Sequence, residues 1–111
     1  MNDEEHLDAS LARFCAQART ITYAELTVEL GLTGAGRIAH LTSMLEATMD
    51  ADATAARPLR AAVVVSRATK ALPARGFFLK AEMLGYFQPA LETPALFHQH
   101  QLAAVFAVSE R

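Results

Sequence analysis

The sequence contains a single cysteine among its 111 residues, so no disulfide bond can form within the chain. Its cysteine content therefore does not call for an oxidising compartment. There is also no apolar run approaching the roughly 20 residues that a membrane-spanning helix needs. The first residues, MNDEE, are acidic where a secretory signal peptide is basic. We therefore expect a cytoplasmic protein that does not contact a membrane.

The motifs of common enzyme classes are absent as well. No serine stands in a nucleophile elbow, and Gly31, Gly34 and Gly36 are not followed by a P-loop lysine. His98 and His100 lie two residues apart on a predicted helix, so they point to nearly opposite sides and cannot chelate one metal ion. We expect both histidines to be partly exposed. We predict a non-enzymatic protein with no catalytic residue, no metal and no cofactor.

What is present is a globular composition in a chain of single-domain length. Hydrophobic residues make up 52 % of the chain and charged residues 20 %, a balance typical of folded proteins. A chain of 111 residues has no room for a second independent core. We expect one domain over residues 1–111.

Charge is distributed unevenly, although the net charge is only −2. Residues 1–56 carry a formal charge of −6, and residues 57–111 carry +4. Six basic residues and no acidic one lie between Arg57 and Lys80. Such a segment is either a solvated basic loop or a contact surface for a polyanion or an acidic protein.

Two helices are predicted in the first third of the chain. The apolar residues of segment 3–18 recur at helical spacing and include Cys15, which we expect to be a buried structural thiol. Thr22 and Glu25 form a capping box that begins a short helix over residues 23–30.

A glycine-containing turn then leads into a third predicted helix over residues 35–49. The residues expected on its inner face are Ile38, Leu41, Met44 or Leu45, and Thr48. The residues expected on its outer face are Arg37, His40 and Ser43. Two amphipathic helices joined by a short turn are typical of a helix-turn-helix.

The second half of the chain is predicted to contain one strand and two helices. In chain order we expect a polar connection at 50–57, a strand at 61–66, an exposed loop at 67–76 and a helix at 77–87, with a strand start at Phe77 as the alternative for the last segment. A last helix, capped by Thr93 with Pro94 at its first position, should run to about residue 108. The expected fold is mainly α, within the α+β class. It is a winged-helix-like helix-turn-helix domain with one or few short strands and added terminal helices.

Residues 21–37 read ITYAELTVELGLTGAGR, in which Arg37 follows Tyr23 by fourteen residues. This segment resembles the helix-turn-helix of the alkylguanine DNA alkyltransferases and of their catalytically inactive alkyltransferase-like relatives. The resemblance implies a winged helix, a tyrosine that presses on a backbone phosphate and an arginine that intercalates where a base is flipped out. Pro58-Leu59 and residues 61–67 resemble the strand that leads into that family's active-site Pro-Cys-His-Arg.

The alkyl-accepting cysteine of that family is missing here. The four residues Val64-Val65-Ser66-Arg67 stand in place of Pro-Cys-His-Arg, so the same comparison excludes methyl transfer. The chain between Arg37 and Pro58 is also longer than in the family. The resemblance covers residues 21–67, and the first and last helices lie outside it.

The start of the third helix carries the predicted binding surface. Glycines there leave room for a phosphate next to free N–H groups at the positive helix end, and Arg37 stands where recognition helices contact DNA. We predict a DNA-binding protein, in a bacterial and regulatory setting, with double-stranded DNA as its partner. The predicted contact residues are Tyr23, Gly34, Gly36, Arg37, His40, Arg57, Arg60, Arg67, Lys70 and Arg75.

The predicted DNA contacts and the predicted function both have alternatives. Tyr23 could be a tyrosine at the core edge, and Arg37 a solvated surface arginine. The alternative function is a protein-interaction module on the same scaffold, which would bind another protein or form a homodimer through aromatic residues of the second half that do not all fit one core. An unrecognised enzyme is the least favoured alternative, and it would need a cleft in which several groups have perturbed pKa values.

Overall fold

The computed structural model describes residues 2–109, which form five α-helices and a two-stranded sheet. The helices are α1 (Asp3–Ala16), α2 (Tyr23–Glu29), α3 (Arg37–Thr54), α4 (Arg75–Met83) and α5 (Pro94–Ser109). The strands are β1 (Ile21–Thr22) and β2 (Val64–Val65), and 3₁₀ turns at Arg60–Val63 and Arg67–Thr69 flank β2. The expected mainly helical class is confirmed. None of these five helices combines the length and the apolar character that a membrane crossing requires.

The first two helices begin where side chains cap them. The Asn2 side chain accepts the N–H of Glu5 at 2.8 Å. Thr22 Oγ1 accepts the N–H of Glu25 at 3.1 Å, and Glu25 Oε1 accepts the N–H of Thr22, also at 3.1 Å. The predicted capping box is therefore confirmed. Beyond the end of α2, Gly31 takes the left-handed φ of +71° that favours glycine.

The third helix is longer than predicted. It begins at residue 37 instead of 35 and ends at 54 instead of 49, so part of the expected polar connection is helical. Its inward stripe consists of buried residues, namely Leu41, Leu45, Thr48 and Asp52. Ile38 was expected on this stripe but is 42 % exposed, because it lies on the first turn beside a surface cleft.

The strand predicted over residues 61–66 is wrong for most of its length. Its first part is a 3₁₀ turn, and β2 has two residues, which pair in parallel with β1 (Val64 opposite Ile21, Val65 opposite Thr22). All of residues 61–65 are buried, which explains the continuous apolar run in the sequence. In this parallel register residues 61–63 would lie opposite residues 18–20, which are not extended as a strand, and the residue after Thr22 already begins α2, so β1 offers partners for two residues only.

The segment predicted as an exposed loop over residues 67–76 is exposed over residues 67–71, but it contains a 3₁₀ turn and the first two residues of a helix. Ser66 forms an antiparallel bridge with Leu72, and Pro73 is buried. Helix α4 begins at residue 75, two residues earlier than expected, and ends at 83 instead of 87. Gly85, with a φ of +83°, then turns the chain.

Helix α5 begins as predicted, since Thr93 Oγ1 accepts the N–H of Leu96 at 3.2 Å. His98 was expected to be partly exposed, but only 5 % of it is exposed. Its Nε2 lies 2.8 Å from the carbonyl oxygen of Ala62. A carbonyl oxygen can only accept, so Nε2 carries the hydrogen and joins α5 to the first 3₁₀ turn. Burial lowers the pKa of His98.

A cluster of phenylalanine rings joins α4 to α5. Phe77, Phe87 and Phe97 are buried and Phe78 is half-buried. The ring centroids of Phe87 and Phe97 are 4.8 Å apart. Most of the aromatic residues of the second half therefore belong to the core. The thiol of Cys15 is also buried, as expected, and its burial raises its pKa.

Candidate nucleic-acid interface

A surface cleft of about 250 Å³ lies where the start of α2, the first turn of α3 and the end of β2 meet. The residues that line it are Thr22, Tyr23, Ala24, Ile38, Val65, Ser66, Arg67 and Ala68. The parallel pairing of β1 with β2 brings these distant parts of the chain together. Tyr23 and residues 65–67 therefore share one cleft.

Arg37 begins α3 beside this cleft, since the next residue, Ile38, lines it. Its side chain is exposed, and Nη1 donates to the carbonyl oxygen of Gly34 at 2.9 Å. This bond leaves most of the guanidinium N–H groups available for a ligand. His40 and Ser43, on the same outer side of α3, are also exposed as predicted.

The positive end of α3 is open. Gly36 occupies the N-cap position, where no side chain caps the helix, and a Cβ at Gly34 or Gly36 would meet no atom within 4 Å. Within residues 2–109 no backbone or side-chain acceptor takes the N–H groups of Ile38 and Ala39. Unpaired N–H groups at a helix start favour an anion, because the helix dipole adds to their positive charge.

Tyr23 has a structural contact that the sequence did not predict. It is half-buried, and its hydroxyl oxygen accepts the N–H of Ala74 at 3.0 Å. Burial raises the pKa of Tyr23, so the hydroxyl is neutral and keeps its hydrogen. Ser66 is similar, because its Oγ accepts the N–H of Ala68 at 3.2 Å. Ser66 lines the cleft and keeps a hydroxyl hydrogen that it can donate there, whereas the Tyr23 hydroxyl is directed to Ala74, which is not part of the cleft lining.

The basic segment does not form one continuous surface, which corrects the prediction for Arg57 and Arg60. Asp52 is fully buried, and its carboxylate accepts from Arg60 Nε at 2.9 Å and Arg60 N–H at 3.0 Å. Arg57 Nη2 lies 3.1 Å from the same carboxylate. Arg60 also lies 3.4 Å from Asp8. Both arginines neutralise acidic residues and do not lie at the cleft.

Two further residues of the predicted set, His40 and Arg75, and the last basic residue of the segment, Lys80, lie elsewhere or are paired. Lys80 Nζ is 2.9 Å from Asp50. His40 Nε2 is 3.3 Å from Asp3 Oδ2. Arg75 lines a separate groove at α4. Of the predicted contact residues, the exposed cations near the cleft are therefore Arg37, Arg67 and Lys70, the last on the same turn as Arg67.

One carboxylate stands close to these cations. The backbone N–H and the hydroxyl of Thr22 hold the pKa of Glu25 below its ordinary value, and Arg67 and Arg19 lower it further. Glu25 is therefore ionised at neutral pH. Its charge partly offsets that of Arg67.

Asp52 is the residue that analysis of the sequence missed. It was placed in a polar connection, yet residue 52 continues the buried stripe of Leu41, Leu45 and Thr48 at helical spacing. Continuing the third helix by one turn beyond its predicted end at residue 49 would have placed Asp52 on the buried face. A buried acid at such a position signals nearby basic partners.

Metal chemistry has no support in the described part of the chain, since no three His, Cys, Asp or Glu side chains group there as a metal site. His98 is buried, while His100 Nδ1 lies 3.2 Å from Glu92.

Comparison of the chain with protein-family models, curated proteins and solved structures gives no match. A function for the chain therefore rests on the geometry and charge of its own surface.

Proposed function

We propose that this chain is a non-catalytic DNA-binding protein that holds duplex DNA at the cleft and at the start of α3. The observation that carries this proposal is the meeting of Arg37, the open end of α3 and Arg67 at one cleft. In this proposal α2 and α3 act as a winged-helix type of helix-turn-helix, with α3 as the recognition helix.

The cleft offers DNA donors and positive charge at neighbouring points. A backbone phosphate at the start of α3 accepts the N–H groups of Ile38 and Ala39, next to the Arg37 guanidinium. Arg67 and Lys70 contact the phosphates that follow. The Ser66 hydroxyl, which lines the cleft, donates to a phosphate or base-edge acceptor.

Three cations imply a modest salt dependence. With three phosphates neutralised, log K falls with log salt at a slope of about −2.7, a loss of about 40-fold between 50 and 200 mM salt. Arg57 and Arg60 do not enter this number, because Asp52 engages both.

The first prediction concerns Arg37. We expect Arg37→Ala and Arg67→Ala each to weaken binding to a mixed-sequence duplex about tenfold at 100 mM salt and to reduce the salt slope by about 1. Fluorescence anisotropy titrations at two salt concentrations measure both quantities.

Lys80→Gln is the matched control, since it also removes one positive charge but from a lysine paired with Asp50 on α4. It should bind like the wild type. Binding that is absent, that ignores salt, or that responds equally to all three substitutions would refute a specific DNA surface at the cleft.

A further inference from the structure

The outer face of α4 carries an exposed stripe that the proposed DNA surface does not use. Its members are Arg75, Leu79, Glu82 and Met83, all exposed and spaced so that they share one side of the helix. Leu79 is 50 % exposed and Met83 81 % exposed. Large apolar side chains in such a position are typical of a contact surface.

A groove of about 350 Å³ runs along this stripe. Its α4 wall is formed by Arg75, Phe78, Leu79 and Glu82. The opposite wall comes from other parts of the chain and is mostly apolar, with Leu72, Pro73, Phe87 and Pro94. The groove therefore offers an apolar floor and one charge of each sign on its α4 side.

The two charges lie at opposite ends of the stripe. Arg75 and Glu82 are seven residues apart, which is two helical turns and about 10 Å along the axis. Neither side chain has an ion pair among residues 2–109, although Lys80 and Asp50 nearby do pair. A partner that carries the same sign of charge at both positions would be repelled by either Arg75 or Glu82. An antiparallel copy of the same helix instead places its Glu82 opposite Arg75 and its Arg75 opposite Glu82.

We propose that this groove binds a second copy of the chain, with the two α4 helices antiparallel across a two-fold axis next to Leu79. Arg75 of each copy then faces Glu82 of the other, so one contact forms twice, as a closed symmetric dimer requires. The same arrangement places Met83 of one copy opposite residue 74 of the other, beside Leu72 and Pro73. Both exposed apolar side chains of the stripe become covered.

The dimer does not depend on DNA binding, because the groove and the cleft share no lining residue. A helix of nine residues with its groove covers less than the roughly 800 Å² per partner of a standard stable interface. We therefore expect a dissociation constant in the micromolar range.

The second prediction tests the charge pairing by sedimentation velocity of the full chain between 1 and 200 μM. Wild type should change from monomer to dimer over this range. Arg75→Glu and Glu82→Arg should each weaken association at least tenfold, because each places like charges opposite one another. The double variant Arg75→Glu/Glu82→Arg should recover the dimer, since the pair is only reversed.

Mixing the two single variants separates a broken contact from a misfolded chain. One variant carries two acidic ends and the other two basic ends, so an equimolar mixture should form a heterodimer. Glu5→Arg, the same charge change on α1, should leave association unchanged. Wild type that stays monomeric at 200 μM, dimerisation that is indifferent to both single reversals, or a failure of both the mixture and the double variant to associate would each overturn the proposal.

Discussion

Asp52 shows how one buried charge organises the residues around it. Its carboxylate has no exposed surface and is surrounded by the N–H groups of Arg57 and Arg60. An unpaired carboxylate in the interior is costly, so these arginines offset a penalty that the fold would otherwise carry. Two of the six basic residues between Arg57 and Lys80 therefore serve to neutralise a buried carboxylate and not to form a charged surface.

The third prediction follows at this residue. Asp52→Asn should lower the free energy of unfolding by about 3 kcal/mol, because it removes the buried charge partner of Arg57 and Arg60 and leaves Arg60 with only the more distant Asp8. Urea unfolding monitored by circular dichroism measures the loss. Asp50→Asn is the control two residues away. Its carboxylate is 57 % exposed and pairs with Lys80, so we expect a change below about 1 kcal/mol. Equal effects of the two substitutions would contradict this role for Asp52.

At the scale of single elements, the residues that cap a helix predicted where it begins, whereas the apolar run did not predict the length of a strand. The starts of α2 and α5 were predicted from Thr22 and Thr93, because a cap bonds to a residue three positions away and needs nothing else. The length of β2 was not predicted, because a strand extends only as far as its neighbour, and β1 ends after two residues.

The fourth prediction tests the capping box. Thr22→Ala should destabilise the protein by about 1 kcal/mol, since the N–H of Glu25 loses its acceptor. Thr22→Ser keeps that oxygen and should cost at most a few tenths of a kcal/mol. Thermal and urea unfolding of the two variants provide the comparison. Similar losses for alanine and serine would show that the methyl group, and not the cap, stabilises this position.

At the scale of the whole molecule, folding removes much of the charge asymmetry seen along the chain. Acidic residues of the first half, Asp8, Asp50 and Asp52, each contact a basic residue of the second half. What remains exposed near the cleft is a smaller group of cations, which is why the proposed DNA surface is narrower than the basic segment.

The fifth prediction concerns the pH dependence of the whole fold through His98, which joins α5 to the first 3₁₀ turn. Burial lowers the pKa of His98 in the folded state below its ordinary value of 6.5, so the unfolded chain takes up this proton first. The resulting stability is therefore fully present above pH 6.5 and is lost as the pH falls below that value.

Unfolding free energies at pH 7.5 and 5.5 measure this effect. The difference in unfolding free energy between the two pH values should be smaller in His98→Gln than in wild type, because glutamine does not take up a proton. It should not vanish, because other titrating groups contribute in both proteins. An unchanged difference would contradict a neutral His98 in the fold.

The sequence by itself determined the mainly helical class, the helix starts at residues 23 and 94 and the burial of Cys15. The helix starts follow from caps that bond three residues away, and the helical class and the burial of Cys15 follow from the spacing of apolar residues along one helix face. Only the tertiary structure decided that Arg57 and Arg60 bind Asp52, that His98 is buried and that Ile38 is exposed. A buried charge or polar group is satisfied by whichever partner lies nearest in space, and nearness in space is set by the packing of distant elements.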